Sequence, residues 1–294
     1  MFFSQRNHLS IKSINSLLFV AIKKRNRYNL NKFNGYQFIK KSMLKTLFLS
    51  FLLMIFINPA LAKNYVSVLK NQSNLCIASN SLPDHEIGKF PNRANPHSIR
   101  EHLVEFCVPV DPVKNKVPKF VKGTIGIAIN GIQFRPNTAG FYDPRAKSGH
   151  SRDGDKRWSL DIFGAKNKLG LDNNNGHIGP NGLYHYHGIA KSLVITSDNS
   201  LIGYAGDGFE IHYLDNKVTS GYELKSGFRP SGPGGKYDGR YNEDYVHKGL
   251  EGTLDKCNGG NLSGKFVYFI TNSYPFIGRC LWGDISSGFG VNRQ

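Results

Sequence analysis

The feature that most constrains the fold is that no helical apolar period longer than two turns occurs after residue 62. Short apolar runs alternate with glycine, proline, asparagine and aspartate, which interrupt regular structure and favour turns. In one example, an apolar run at residues 123–129 is followed by Asn130-Gly131, a dipeptide typical of tight hairpin turns, and by a second run from residue 132. The sequence therefore predicts a mainly β fold, a single domain of sandwich or barrel-like antiparallel sheets with long Gly-rich loops.

Further segments follow the same pattern. Residues 183–187, 192–196 and 201–204 each have strand-like composition, and the polar residues 197–200 predict a hairpin between the last two. Residues 135–157 are polar and have no apolar period, so we expect a long loop there.

The first 62 residues have the character of a targeting segment. Residues 43–62 combine a lysine near Met43, an apolar run of about eleven residues and the small-residue triplet Ala60-Leu61-Ala62, which is typical of a secretory signal peptide with its cleavage site. A signal peptide normally begins at the N-terminus of the translated chain. We therefore expect translation to start at Met43 and residues 1–42 to be a mis-annotated upstream extension, the alternative being an unusually long positively charged region.

Charge and hydropathy exclude two classes of partner. The formal net charge is +17, but residues 1–62 contain ten of the basic residues and no acidic ones. The remaining excess is spread thinly, without a basic stripe interleaved with aromatic residues, so we expect no nucleic-acid partner. The apolar run of the signal is shorter than the roughly 20 residues that cross a bilayer, and we expect no stable membrane span after cleavage. Secretion or a periplasmic location follows.

All four cysteines lie in the exported part of the chain, where thiols oxidise to disulfides. Four cysteines allow three pairings, of which the sequence-local one joins Cys76 to Cys107 and Cys257 to Cys280. No C-x-x-C spacing is present, which argues against a thiolate metal site.

Three histidines fall within eleven residues: His177, His185 and His187. Residues two apart on a strand point to the same face, so His185 and His187 lie side by side while Tyr184 and Tyr186 point the other way. With His177 on the preceding Gly/Pro loop, three neutral imidazoles with an open fourth position suit Zn, and an exported His-rich site also suits Cu. Hydrogen bonding of these rings to backbone or tyrosine hydroxyls is an equally weighted alternative.

A second group of polar residues follows at residues 207–212. Asp207 lies in a Gly-flanked turn, and Glu210 and His212 share one face of the next strand by the same period of two. Asp207 or His212 is a candidate fourth ligand or a partner that orients a ligating histidine. For Asp207 alone, ordinary turn chemistry is the simpler interpretation.

These motifs together resemble one family, the YHYH domain proteins, named after the tetrapeptide at residues 184–187. The segment at residues 126–134 resembles the family's G-x-A-x-N-G, Asn175-Gly176-His177 its N-G-H, and residues 203–209 its G-Y-A-x-D-G-F, with further tail landmarks to Gly283. The resemblance implies a family domain over residues 123–283, preceded by an N-terminal part of the mature chain at residues 63–122 and followed by a tail at 284–294. It also implies an exported protein, without specifying an activity.

The chain departs from the family pattern at two places. The family usually continues D-G-F with P-I-Y-G, whereas residues 210–213 here read EIHY, and Asn174 stands where a half-cystine often precedes N-G-H. If that cysteine normally pairs with a tail cysteine, the resemblance implies that this chain joins Cys257 to Cys280.

Three functions are compatible with these residues. The first is an exported metal-binding protein for metal handling or sensing, with His177, His185 and His187 as ligands. The second is a metal-dependent hydrolase in which Asp207 or Glu210 acts as general base, since no nucleophile elbow or free cysteine is present. The third is a carbohydrate- or peptide-binding or structural module that presents an aromatic face; its residues are Tyr184, Tyr186, Tyr204 and Phe209.

Overall fold

The structure is a computed structural model that describes residues 63–165, 169–196 and 200–290. The expected upstream extension at 1–42, the signal peptide at 43–62 and most of the turn expected at 197–200 lie outside the described residues. In the described part of the chain, no helix combines the length and apolar character needed to cross a bilayer.

The described residues form short strands, one short helix and two 3-10 turns. The strands are β1 (Val66–Lys70), β2 (Asn74–Ser79), β3 (Val104–Pro109), β4 (Lys119–Phe120), β5 (Gly126–Ala128), β6 (Gln133–Phe134), β7 (Phe141–Tyr142), β8 (His150–Ser151), β9 (Asp155–Ser159), β10 (Gly176–Ile178), β11 (Tyr184–Tyr186), β12 (Leu201–Ala205), β13 (Glu210–Tyr213), β14 (Tyr222–Leu224), β15 (Tyr245–His247), β16 (Gly259–Leu262), β17 (Lys265–Ile270) and β18 (Cys280–Leu281). Helix α1 spans Lys191–Thr196, and the 3-10 turns span Asp215–Lys217 and Asn242–Asp244.

An eight-stranded sheet forms the centre of the fold, in the order β10-β11-β6-β5-β12-β13-β17-β16. Its ends, β10 and β16, do not pair with each other, so the sheet is open and not a barrel. Most neighbours are antiparallel, as predicted, but β11 pairs with β6 and β13 pairs with β17 in parallel. The predicted mainly β, sandwich-like class is confirmed, with a mixed central sheet.

A second, three-stranded sheet of β1, β2 and β3 packs against the central one. Ile77 and Phe106 from this sheet form a buried apolar cluster with Ile127 of β5. The next residue, Ala128, belongs to the larger core cluster on the other face. Alternation along β5 therefore gives the central sheet two apolar faces, and each buried large aliphatic side chain contributes about 1.5–3 kcal/mol.

The hairpin predicted around Asn130-Gly131 is confirmed, because β5 and β6 pair antiparallel across that turn. Gly131 has a φ of +80°, a left-handed conformation that glycine adopts without a steric penalty. The same hairpin places β6 beside β11, which carries the YHYH tetrapeptide.

The strand predicted at residues 192–196 is wrong, because this segment is helix α1. Leu193 is buried whereas Ile195 is exposed. The Asn174 side chain accepts a hydrogen bond from the Ser192 backbone N–H at the start of the helix, at 3.1 Å. A short apolar run does not distinguish strand from helix, and this long-range cap favours the helix.

The loop predicted at residues 135–157 is only partly a loop. It contains β7, β8 and the start of β9, which form a separate three-stranded sheet in the order β8-β7-β9. These strands are too short and too polar for their pattern to appear in the sequence.

The described part of the chain contains two disulfides, and their pairing is the sequence-local one. Cys76 and Cys107 lie directly opposite each other on β2 and β3. Cys257, on the loop before β16, is joined to Cys280 on β18. No free cysteine remains among the described residues, so thiolates are not available as ligands there.

Replacing both cysteines of either bridge with alanine should lower the free energy of unfolding by about 3–4 kcal/mol, because each bridge closes a long loop in the unfolded chain. The bridged residues are 31 and 23 positions apart. Urea denaturation of the two double variants measures the loss. Peptide mapping that found a bridge between Cys76 or Cys107 and the C-terminal pair would contradict the pairing.

Candidate metal centre

The three clustered histidines are brought together by the pairing of β10 with β11. In this antiparallel register His177 lies directly opposite His185. His187 follows His185 by two residues and so projects from the same face. Directly opposite residues place their Cβ atoms about 4.5–5.5 Å apart, within reach of ring-to-ring contact.

Gly176 permits β10 to approach β11 this closely. A Cβ atom at residue 176 would lie 2.2 Å from the hydroxyl oxygen of Tyr184, so any side chain there would overlap the tyrosine. The Tyr184 hydroxyl donates a hydrogen bond to Asp172 Oδ2 at 2.7 Å. Asp172 Oδ1 accepts the backbone N–H groups of Asn174 and Gly176 at 2.8 and 3.0 Å. One buried tyrosine and one carboxylate thus fix the loop that delivers His177.

Tyr184 and Tyr186 are fully buried on the opposite face of β11. The Tyr186 hydroxyl contacts His85 Nε2 at 2.6 Å and accepts a hydrogen bond from Asn130 Nδ2 at 3.0 Å. Rings with no exposed area cannot contact a carbohydrate or a peptide. The aromatic binding face proposed from the sequence is therefore wrong, since its two central members are core residues.

The three imidazoles converge. Their ring centroids lie 4.8–4.9 Å apart, and one nitrogen of each ring lies within 4.8 Å of the others. The Nε2 atoms of His177 and His187 are 3.2 Å apart. Ligands at 2.0–2.1 Å around one tetrahedral ion are separated by about 3.3 Å, so the pair of His177 and His187 already has the required spacing.

Hydrogen bonds to the backbone set the orientation of two rings. His177 Nδ1–H donates to the Leu169 carbonyl at 3.0 Å, and His185 Nδ1–H donates to the Leu183 carbonyl at 3.1 Å. In the neutral rings Nε2 is then an unprotonated acceptor, which is the form that binds a metal.

His187 has a different arrangement. Because His177 Nε2 is an acceptor, the 3.2 Å contact requires His187 Nε2 to carry the proton when no metal is bound. This leaves the buried Nδ1 of His187 as an acceptor without a hydrogen-bond partner among the residues that the structure describes. The Pro136 backbone carbonyl is a hydrogen-bond acceptor for this ring and raises its pKa. Moving the proton from Nε2 to Nδ1, toward that carbonyl, would free Nε2 for a metal.

Burial keeps all three rings neutral. It is the main cause that lowers the pKa of His177, and it holds the pKa values of His185 and His187 well below their usual range. Neighbouring imidazoles and Arg135 lower the pKa of both buried rings further. Neutral nitrogens are what a metal ion requires of histidine.

Asp207 is not part of this group. Its Oδ2 accepts the Tyr268 hydroxyl at 2.7 Å and the Gly283 backbone N–H at 2.8 Å, while burial raises its pKa. It joins the turn after β12 to β17 and to the C-terminal segment.

His212 also lies apart from the group. Its Nε2–H donates to Glu210 Oε2 at 2.9 Å, and its Nδ1 accepts the Ser200 hydroxyl at 2.9 Å. Glu210 and His212 share a face of β13, as the period of two predicts, but they satisfy each other. Among the described residues, the group of three or more potential metal ligands consists of the three histidines alone.

The histidines open onto a cleft of about 870 Å³. Two further lining residues, His97 and Arg135, were not singled out from the sequence. Arg135 follows β6 directly, and its backbone N–H donates to the Tyr186 carbonyl at 2.9 Å. Only the parallel pairing of β6 with β11, which no local pattern encodes, brings it beside His187.

Replacing Gly176 with alanine should destabilise the protein by about 1–3 kcal/mol, because the new methyl group overlaps the Tyr184 ring. Gly179→Ala is the matched control in the same segment. Its Cβ would lie 3.2 Å from the end of the Asn181 side chain and in ordinary contact, at 3.6 Å, with His185 Cε1 and the Leu183 carbonyl. Chemical denaturation compares the two. Equal effects would contradict the role given to Gly176.

The metal-free protein should lose stability in acid. The folded-state pKa values of the three histidines are lowered, whereas those of the unfolded chain are near 6.5, so the unfolded state takes up these protons first. The free energy of unfolding is expected to fall below pH 6.5 by up to about 1.4 kcal/mol per pH unit for each group. Denaturation with a chelator across pH 5–8 measures this slope.

The slope should be shallower in a His185→Gln/His187→Gln variant than in the parent protein. The same slope in both proteins would contradict the assignment.

Comparison with known proteins places this site in a family. Residues 105–283, more than half of the chain, match the family model described as YHYH protein. No curated protein and no solved structure matches the chain. The matched region contains the histidine triad together with Tyr184 and Gly176, which position it. The chain belongs to the YHYH protein family.

Proposed function

We propose that this protein binds one transition-metal ion, Cu or Zn, through His177, His185 and His187. The observation that carries the proposal is the convergence of three neutral imidazoles whose candidate ligand atoms lie within 4.8 Å of one another. Burying three imidazoles side by side with one unsatisfied ring nitrogen is costly for a scaffold, whereas it is what a metal site needs.

The donor set narrows the metal. All ligands offered are imidazole nitrogens, because the described cysteines are in disulfides. Nitrogen ligands suit Zn and Cu, and three of them leave an open position for water or another ligand. The hydrogen bonds from Nδ1 to the Leu169 and Leu183 carbonyls support this assignment, since ligating histidines commonly donate their other ring N–H to such acceptors.

A secreted or periplasmic location would suit metal handling or sensing. We propose that translation starts at Met43, that residues 43–62 are removed as a signal peptide, and that the mature chain is secreted or periplasmic. Two disulfides support an oxidising location. Outside the reducing cytosol, a histidine site binds Cu or Zn without competition from intracellular thiols.

A metal-dependent hydrolase is the second candidate, favoured by the cleft onto which the triad opens. A bound metal would lower the pKa of a water molecule at its open position. Neither Asp207 nor Glu210 is among the described residues that line this cleft, so the structure gives no support to either as general base. His97, which does line it, is the titratable group best placed for proton transfer.

Elemental analysis of the protein exported from its own Met43 signal, purified without a His tag, tests the proposal. We expect about one equivalent of Cu or Zn per chain, because three converging imidazoles form one site. A His185→Gln/His187→Gln variant should lose the metal while retaining its disulfides and its β-rich circular dichroism spectrum.

His212→Gln is the matched control, a buried histidine outside the triad that should retain the metal. Absence of metal from the parent protein, even after reconstitution with Cu or Zn, would contradict the proposal. Metal that persists in the double variant would place the site elsewhere.

A further inference from the structure

The cleft beside the triad is lined by cations and, among its described lining residues, by no carboxylate. Its charged side chains are Lys122, Arg135, Arg152 and Lys156. Lys122, Arg152 and Lys156 are exposed, whereas Arg135 is half-buried next to the histidines. The volume of about 870 Å³ lies within the range of small-molecule sites, about 300–1,000 Å³.

The half-buried Arg135 has no carboxylate partner among the described residues. Among the described residues, the ion pairs do not include Arg135, although they do include two arginines with largely buried side chains. Arg229 is bound by Asp244, and Arg279 donates to Asp161 at 2.9 Å. Unlike these two, the half-buried guanidinium of Arg135 faces a cleft that holds no carboxylate among its described lining residues.

The position of Arg135 explains how it faces the site. It is the residue after β6. Gln133 of β6 pairs with His185 of β11, and the same register continued by two residues places Arg135 beside His187. Its positive charge acts on His177, His185 and His187, lowering the pKa of each ring. A metal ion bound by the triad would add further positive charge to this cleft, whose described lining residues include no carboxylate.

We propose that the cleft binds a small-molecule oxyanion, a phosphoryl or carboxylate group, held by the Arg135 guanidinium beside the histidine triad. A planar guanidinium binds such groups through two parallel N–H···O bonds. The bound oxyanion neutralises the charge of Arg135 and lies next to the open coordination position of the metal. The inference deepens the proposed function and rests on it for the metal, while the role of Arg135 can be measured without one.

Two consequences distinguish this arrangement from general attraction by a basic surface. Anion and metal should each strengthen the binding of the other, because each offsets the charge of its neighbour, and the coupling factor must be the same in both directions. Removing the Arg135 charge should weaken anion binding without weakening metal binding, since it also removes a repulsion between Arg135 and the metal.

Calorimetric titration of the exported protein at fixed ionic strength, with and without Zn, tests the proposal. The probes are phenylphosphonate, benzoate and the neutral analogue benzamide, which share one ring and differ in charge. We expect one of the two anions to bind, benzamide to bind at least tenfold more weakly, and the tighter anion to identify a phosphoryl or a carboxylate site.

Arg135→Gln should weaken binding of that anion about 10- to 100-fold, as expected when a charge-assisted hydrogen-bonded pair is lost. Arg135→Lys should restore part of the affinity. Arg157→Gln, an exposed arginine paired with Asp155 and absent from the cleft lining, is the charge-matched control and should leave affinity unchanged. Zn stoichiometry and circular dichroism establish that each variant is folded.

Equal anion affinity in the parent and Arg135→Gln proteins, or binding of neither anion in any state, would overturn the inference. If the parent holds no metal but the metal-free protein binds the anion through Arg135, the metal proposal fails and the oxyanion site stands. If metal binds and the anions do not, the reverse holds.

Discussion

The antiparallel pairing of three residues of β10 with three of β11 is the constraint on which the candidate site depends. It sets His177 opposite His185 on one face and places Tyr184 and Tyr186 in the core on the other. The pairing requires a residue without a side chain at position 176, because the Tyr184 hydroxyl occupies the space of a Cβ atom. The Y-H-Y-H and N-G-H motifs therefore form one unit, in which tyrosines provide the anchor and histidines the ligands.

The two faces of β11 differ in whether their polar groups have hydrogen-bond or ion-pair partners. On the core face, the tyrosine hydroxyls are bound by Asp172, Asn130 and His85. On the cleft face, a ring nitrogen of His187 has no hydrogen-bond partner and Arg135 has no carboxylate partner within the part of the chain that the structure describes. A binding or catalytic role is one explanation for a buried polar group that has no partner in the folded chain. This contrast supports a binding role for the cleft face and a structural role for the tyrosines.

The sequence predicts the parts of the site that depend on the spacing of neighbouring residues along the chain. The H-x-H spacing predicts two rings on one face, and the Asn130-Gly131 turn predicts the hairpin of β5 and β6. Parallel pairing of β6 with β11 joins segments about fifty residues apart, and no spacing rule encodes it. For that reason Arg135 escapes a search for motifs. The helix at residues 191–196 escapes for a related reason, since the Asn174 side chain that caps it lies outside the segment and no local pattern shows it.

Nitrogen-15 NMR of the imidazole rings tests the central claim most directly, because it reports which ring nitrogen carries the proton and which binds metal. On addition of one equivalent of Zn to the metal-free protein, we predict that the Nε2 resonances of His177, His185 and His187 shift together. The proton of His187 should move from Nε2 to Nδ1. Nε2 resonances that do not respond, or a response confined to one ring, would contradict the account.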